Sequence, residues 1–377
     1  MLNLRVKFFE FITAKLLQRA NVYYQKHQYK KAIPLYQKII KLNPDHYAAY
    51  ANLAVSYFEN SDYQTALKYF LELVKKEKNN PWWHTYLSQT YQKLNQCNKA
   101  LKSSWQAVIS SFGATEQQIN FAYALYEISL VKGSDYVRNW AQKFYDKYPV
   151  SGIAKQCYQT YVSEKKTDSC DLEYVEKMFD IFAEEFDDVL SSLQYDSPKL
   201  IAQELSYLKD NFKCDSTILD LGCGTGLCAQ NIKKFLPKIS IFGVDISSQM
   251  LHFADSKRVY SHLYKQDIIY FLQSSLLQFD AIVASDVLTY MGGLEKVFEL
   301  VFFNLKKGGN FVFTISQNIY NKKGYFLSPS SRFVHSLAYV KKCLKQSGFY
   351  IDKVIEKNIR FENKKPVYGW IILCSKS

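Results

Sequence analysis

The sequence predicts two domains: an all-α helical repeat array, then a doubly wound α/β domain on a mostly parallel, seven-stranded sheet. Three observations predict this. Small and aromatic residues recur every 34 positions in the first half. In the second half, strand-length apolar runs alternate with helix-length segments. The stretch Ile218-Leu219-Asp220-Leu221-Gly222-Cys223-Gly224-Thr225-Gly226-Leu227 reads as a buried strand, a tight turn and a helix. A length of 377 residues fits two domains.

In the repeats, Ala20, Tyr23, Ala32 and Tyr36 have counterparts 34 residues on at Ala54, Tyr57, Ala66 and Phe70. A further step gives Ser88, Tyr91, Ala100 and, less well, Ser104, with Leu53 and Leu87 at another equivalent position. Such spacing lets two antiparallel helices cross at alanine while aromatic rings fill the groove. The pattern, with Tyr29-Lys30-Lys31-Ala32 running on to Asn43-Pro44, resembles tetratricopeptide (TPR) repeats. Repeats fall near 13–46, 47–80 and 81–114, a degenerate pair near 115–149 and a capping helix near 151–163. The second departs from the pattern: Lys78 occupies the closing-proline position, and Pro81 comes three residues late. The resemblance implies a module binding a protein or peptide partner. Asn21, Asn52 and Gln89 are candidates on its inner surface.

Charge and cysteine usage bound the function. Net charge is +13, and residues 1–163 hold 21 Lys/Arg against 10 Asp/Glu while the rest hold 27 against 25. The excess is lysine scattered among tyrosines without an arginine cluster, which disfavours a nucleic-acid partner. Cys97, Cys157, Cys170, Cys214, Cys223, Cys228, Cys343 and Cys374 form no CxxC pair and no spacing with histidine. No metal site is expected, and free thiols suit a reducing, cytoplasmic setting. No apolar run reaches the ~18–20 uncharged residues of a membrane span. Residues 1–20, interrupted by Lys7, Glu10 and Lys15, read as an amphipathic helix and not as a leader.

A polar, aperiodic stretch from Ser163 marks a linker at 164–174, with the second domain at 175–377. Phe179, Phe182, Phe186 and Leu190 then recur at helical spacing, either as a helix on the core or as a lid over a ligand. Ser197-Pro198 opens another helix. Strands are expected at 217–221, 240–244, 279–284 and 310–316, with a short one at 262–265. Those at 349–355 and 367–374 are read as an antiparallel edge pair. Such a sheet binds its ligand beyond the strand C-termini.

The turn itself narrows the ligand. A dinucleotide fingerprint would need glycine at 227, where Leu227 stands, and no P-loop lysine is present. Leu219-Asp220-Leu221-Gly222-Cys223-Gly224-Thr225-Gly226 resembles the first motif of class I S-adenosylmethionine-dependent methyltransferases, whose domain is Rossmann-like. That resemblance implies S-adenosylmethionine as cofactor. Gly222, Cys223, Gly224 and Gly226 would form the cradle, with Asp220 facing the positive methionine portion. Asp245, with Ile246, would take the ribose hydroxyls, and Gln266, Asp267 and Ile268 would surround adenine. Met250 would pack on the ring, and Asp286 would stand between cofactor and acceptor.

Further landmarks extend the likeness. Phe179-Asp180-x-Phe182-Ala183-x-x-Phe186-Asp187, Leu193-x-Tyr195-x-x-Pro198, Ser285-Asp286-Val287-Leu288-Thr289-Tyr290-Met291-Gly292 and Leu327-Ser328-Pro329-Ser330-Ser331-Arg332-Phe333-Val334-His335-Ser336 are similar to those of predicted bacterial methyltransferases with N-terminal TPR repeats. Ser331 stands where that family commonly has glycine, and Met291 replaces a small apolar residue. His335, Asp286 and Tyr290 are the candidate bases. Phe182, Phe186, Tyr195, Arg332 and His335 are candidates for binding the acceptor, whose identity the resemblance leaves open, with a protein or small molecule favoured. Two other readings stand beside it: a TPR scaffold whose methyltransferase domain binds cofactor without turnover, and an RNA methyltransferase. The latter lacks the usual Asn/Asp-Pro-Pro-Tyr/Phe tetrad.

Overall fold

The computed structural model describes residues 2–165, 167–213, 215–320, 323–362 and 365–377. Cys214, and Lys166 of the expected linker, lie outside the described residues. The chain divides into two compact units, Met1–Trp140 and Ala141–Ser377.

The first unit is helical throughout: α1 (Leu2–Gln25), α2 (Tyr29–Leu42), α3 (Tyr47–Glu59), α4 (Tyr63–Lys76), α5 (Pro81–Lys93), α6 (Cys97–Ser110) and α7 (Thr115–Lys132). The division between units falls within α8 (Ser134–Lys147). Starts of α2, α4 and α6 lie 34 residues apart, as do those of α3, α5 and α7. The turn before each second helix passes through a left-handed residue at the same interval, His27, Ser61 and Asn95. Ala20, Ala32, Ala54, Ala66 and Ala100 are wholly buried where helices cross, and Tyr36 and Phe70 fill the grooves. Phe70 stacks on Tyr86 of the next repeat at 5.1 Å between centroids. Pro81 is displaced because it opens α5, where its missing N–H costs nothing, and Asn80 caps the same helix by accepting from Trp82 N. Asn21 and Asn52 meet the Tyr36 hydroxyl at 2.7 and 3.3 Å, so they serve packing between α1, α2 and α3.

The second unit begins with α9 (Gly152–Tyr161), α10 (Leu172–Phe182), α11 (Phe186–Ser192) and α12 (Ser197–Ser206). Then come β1 (Thr217–Leu221), α13 (Leu227–Phe235), β2 (Ser240–Asp245), α14 (Ser248–Ser256), β3 (His262–Lys265), α15 (Ile268–Ser274) and β4 (Phe279–Ala284). The chain ends with α16 (Glu295–Asn304), β5 (Leu305–Ser316), β6 (Tyr325–Leu327), β7 (Phe333–His335), α17 (Leu337–Gln346), β8 (Tyr350–Glu362) and β9 (Lys365–Ser375). The seven-stranded sheet has the order β3-β2-β1-β4-β5-β9-β8. Its first five strands are parallel and β9 and β8 antiparallel, as the sequence predicts. Successive residues face opposite ways, so Leu219 and Ile282 enter one core layer while Ile218, Ala281 and Val283 enter the other. The β6–β7 hairpin is an addition that sequence reading missed; three-residue strands carry too little alternation to be seen.

Two expectations about the junction change. The helix read as the array's cap, α9, lies in the second unit. Its Gly152 N–H donates to Glu173, and its Gln156 side chain accepts from Asp171 N. Tyr161 donates to Pro329 O. The segment read as a linker is a strap: Asp168 O accepts from Gly292 N and Gly293 N, and Cys170 N donates to Tyr290 O.

Removing a buried ring tests the repeat packing. Phe70→Ala is expected to cost about 3–5 kcal/mol of unfolding free energy, read from the urea midpoint.

Candidate functional site

β1 ends beside both β2 and β4, where the crossovers diverge and a crevice opens. Gly222, Gly224 and Gly226 all have positive φ, 63°, 54° and 90°. A Cβ on Gly222 would also stand 2.3 Å from Val287 Cγ2. Gly224 has space around it, with Phe186 at 3.8 Å, so there conformation alone requires glycine. Cys223 N–H donates to Val244 O, fastening the turn to the neighbouring strand.

The end of β2 meets this turn. One Asp245 oxygen accepts from Gly224 N at 2.8 Å and the other from Ser247 N at 2.9 Å. Burial pushes this carboxyl up, and the backbone donors Ser247, Gly224 and Ile246 oppose that. Asp267 caps α15 through one oxygen, accepting from Tyr270 N at 2.9 Å. A cavity of about 380 Å³ lies between these groups and the far side of the sheet.

Across that cavity, Asp286 follows β4 with φ 57°, its N–H held by Thr314 Oγ1 at 2.8 Å. Arg360 Nη1 on β8 donates to both Asp286 oxygens, at 2.9 and 3.2 Å. Tyr195 and Ser285 share a hydroxyl hydrogen bond of 3.1 Å. Tyr290 lies edge-on to Phe179, and burial pushes its hydroxyl pKa up, so the phenol stays protonated.

The predicted single helix through Phe179 and Leu190 breaks at residues 183–185 into α10 and α11, and both halves are pinned over the cavity. Asp180 of α10 accepts from Ser247 Oγ at 2.7 Å. Asp187 of α11 accepts from Thr225 Oγ1 of the glycine turn and from Lys257 Nζ.

Of the residues expected at the cofactor, Gly222, Cys223, Gly224, Asp245 and Ile246 line this cavity, as do Gln266, Asp267 and Ile268. Of those expected near the acceptor, Asp286, Tyr290, Phe186, Tyr195 and Arg332 do so. Five expected residues do not. Phe182 ends α10 and is 39% exposed. Met250 is a core residue of α14. Gly226 lies behind the turn, against Tyr260. Asp220 is wholly buried; Tyr260 Oη donates to its Oδ2 at 2.8 Å, and its Oδ1 has no partner. His335 is sealed in β7, stacked on Tyr339, with Nε2 donating to Gly292 O at 3.2 Å. Burial lowers its pKa to about 4, so this neutral, enclosed imidazole does not reach the acceptor space. Among the described residues no cluster of His, Cys, Asp or Glu could hold a metal ion.

Sequence reading missed Arg360, Asp180, Asp187 and Tyr260 as site-building groups. Asp180 and Asp187 lay inside a quoted motif, but Arg360 in a long edge strand and Tyr260 before a short one carried no local signal.

Fold and site together define a class I S-adenosylmethionine-dependent methyltransferase domain. Its groups suit that ligand: a turn whose three glycines hold left-handed backbone, and a strand-end carboxylate, Asp245, that lines the same cavity. Residues 212–364 match the family model described as methyltransferase domain, and residues 17–81 match that of the tetratricopeptide repeat. The chain thus joins such a domain to TPR repeats.

Phosphoethanolamine N-methyltransferase 2 of Caenorhabditis elegans is 27% identical over 171 residues, 43% of this chain and 37% of that protein. The carboxy-S-adenosyl-L-methionine synthase of Campylobacter fetus subsp. fetus is 28% identical over 192 residues, 48% of this chain and 79% of the relative. The chain therefore spans little more than a third of the first relative's length. A solved S-adenosylmethionine-dependent methyltransferase from Clostridium acetobutylicum aligns with TM-score 0.40 and 20% identity, over 53% of this chain and 99% of that one.

Two outcomes test this geometry. Gly222→Ala is expected to weaken S-adenosylmethionine binding at least about tenfold by calorimetry, since the methyl group meets Val287 and left-handed backbone. Burial, opposed by the Tyr260 hydrogen bond and aided by Asp245, raises the Asp220 pKa to about 7. Between about pH 4 and that value the folded chain binds the extra proton, so stability falls as pH rises through this window. Urea unfolding at pH 5 and pH 7.5 should show that fall, and Asp220→Asn should reduce it.

Proposed function

We propose that this chain transfers the methyl group of S-adenosylmethionine to a small-molecule or protein acceptor held in the same cavity, while the repeat array engages a protein partner. One observation carries the reading: the glycine turn, Asp245 and Asp267 share a single cavity with Asp286 and Tyr290.

Asp245 has lone pairs left after its backbone bonds and would accept both ribose hydroxyls. Asp267 has one oxygen beyond its capping bond for the adenine amino group. Gln266 and Ile268 flank that place, and Cys223 and Ile246 complete the wall. When bound, the cofactor supplies a methyl group on a cationic sulfur that departs neutral, so positioning accounts for much of the acceleration. Asp286, held by two hydrogen bonds from Arg360 Nη1, would orient an acceptor. Tyr290 and Tyr195 present hydroxyls to the same space, with Phe186 and Arg332 on its wall. An acceptor that is already nucleophilic, such as an amine, suits this set. Phosphoethanolamine N-methyltransferase 2 and, at 28% identity over 131 residues, malonyl-[acyl-carrier protein] O-methyltransferase of Priestia megaterium favour by name a small or carrier-borne acceptor, against a tRNA1(Val) (adenine(37)-N6)-methyltransferase of Yersinia enterocolitica that matches over only 75 residues. Buried, unpaired thiols and the absence, among the described residues, of a helix long and apolar enough to cross a membrane support work in the cytoplasm.

Asp245→Ala is expected to weaken S-adenosylmethionine binding by about 100-fold, the loss of two charge-assisted hydrogen bonds. Unchanged affinity would remove the cofactor assignment. Incubating the protein and labelled cofactor with cell lysate, then separating protein, RNA and small molecules, locates the acceptor. Binding without transfer to any fraction would favour the non-catalytic scaffold, and label in RNA the RNA methyltransferase.

A further inference from the structure

The lysine excess that looks scattered in sequence is ordered in the structure. α2, α4 and α6, the second helices of three successive repeats, carry nine lysines and one acid, Glu72. All nine are exposed. On α2 the buried residues are Ala32, Tyr36 and Ile39. At 100° per residue, Lys30, Lys31, Lys38 and Lys41 fall on the opposite side. The same geometry sets Lys68 and Lys75 of α4 against buried Ala66, Phe70 and Leu73. Lys68 and Lys102 stand at equivalent repeat positions, as do Lys41 and Lys75. Only Lys75, paired with Glu72, and Lys76, 4.0 Å from Asp45, have a carboxylate partner among the described residues. The 34-residue period thus builds one cationic face across three helices.

We propose that this face docks an acidic polypeptide segment. Its charges are all ammonium groups on flexible stems and none is guanidinium, so it offers point charges and no planar fork for phosphate or base edges. No exposed aromatic of α2, α4 or α6 provides a stacking platform for bases. Leu42 and Leu71, partly exposed beside the lysines, would instead meet apolar residues interspersed with acids. Charge complementarity across such a surface raises association rate and selectivity, and it weakens with salt. The inference rests on the partner-binding reading of the array for the class of partner, and adds the face and its chemistry.

The test uses the full chain, a fluorescent 20-residue peptide of glutamate with interspersed leucine, and an RNA duplex of similar charge. Fluorescence anisotropy should show the peptide bound more tightly than the duplex at physiological salt, and at least about tenfold more weakly when salt rises severalfold. The triple variant Lys38→Glu, Lys68→Glu, Lys102→Glu, one change per helix and none at a cap or ion pair, should weaken the peptide at least about tenfold. Its circular dichroism and its S-adenosylmethionine affinity should stay unchanged. Peptide binding that survives the triple variant would remove this face and leave the partner reading standing. No peptide binding at all would remove the acidic-segment assignment and leave the partner reading to the array's other surfaces. Tighter binding of the duplex, lost in the variant, would overturn the acidic-peptide assignment in favour of nucleic acid.

Discussion

The site depends on a backbone constraint between β1 and α13. Three residues there hold left-handed φ within five positions, and one of them faces Val287 too closely for any side chain. The Asp245 carboxylate locks the turn by accepting from Gly224 N. A single acid therefore shapes the turn and lines the cavity beside it. Its desolvation is opposed in part by backbone donors, which hold the carboxylate in place.

A second set of contacts reaches the turn from outside the sheet. Asp180 and Asp187, on two short helices, bind the start of α14 and the glycine turn. Those helices precede residue 212, where the match to the methyltransferase family model begins. Within that cavity the glycine turn, Asp245 and Asp267 lie inside the matched domain, whereas Phe179, Phe186, Leu190 and Tyr195 lie upstream of it. This division is physically sensible: the cofactor is constant across the class, and acceptors differ.

Local signals were readable, and contacts between distant segments were not. The 34-residue period fixed helix starts because each repeat buries the same alanines and rings. Asp245 and Asp267 could be placed because strand ends and helix caps are local features. His335 and Met250 were read as ligand groups from motif position, yet tertiary packing enclosed both. Arg360 escaped notice because its pairing with Asp286 spans 74 residues, which no local pattern encodes. Ser331, where a glycine is common in the similar family, has φ 56°, which gives that preference its physical reason.

The strap at Asp168 to Cys170 bears on how such a chain tolerates shortening. The strap and α9 donate to or accept from residues 290–293 and 329–331, on both loops that border the acceptor space. A chain begun at Val175, where composition alone suggests the domain starts, would leave Gly292 N, Gly293 N and Tyr290 O without their partners. Separating the two modules cleanly therefore means cutting upstream of Gly152, and the roughly twenty residues before α10 behave as an outlying part of the second unit and not as a tether.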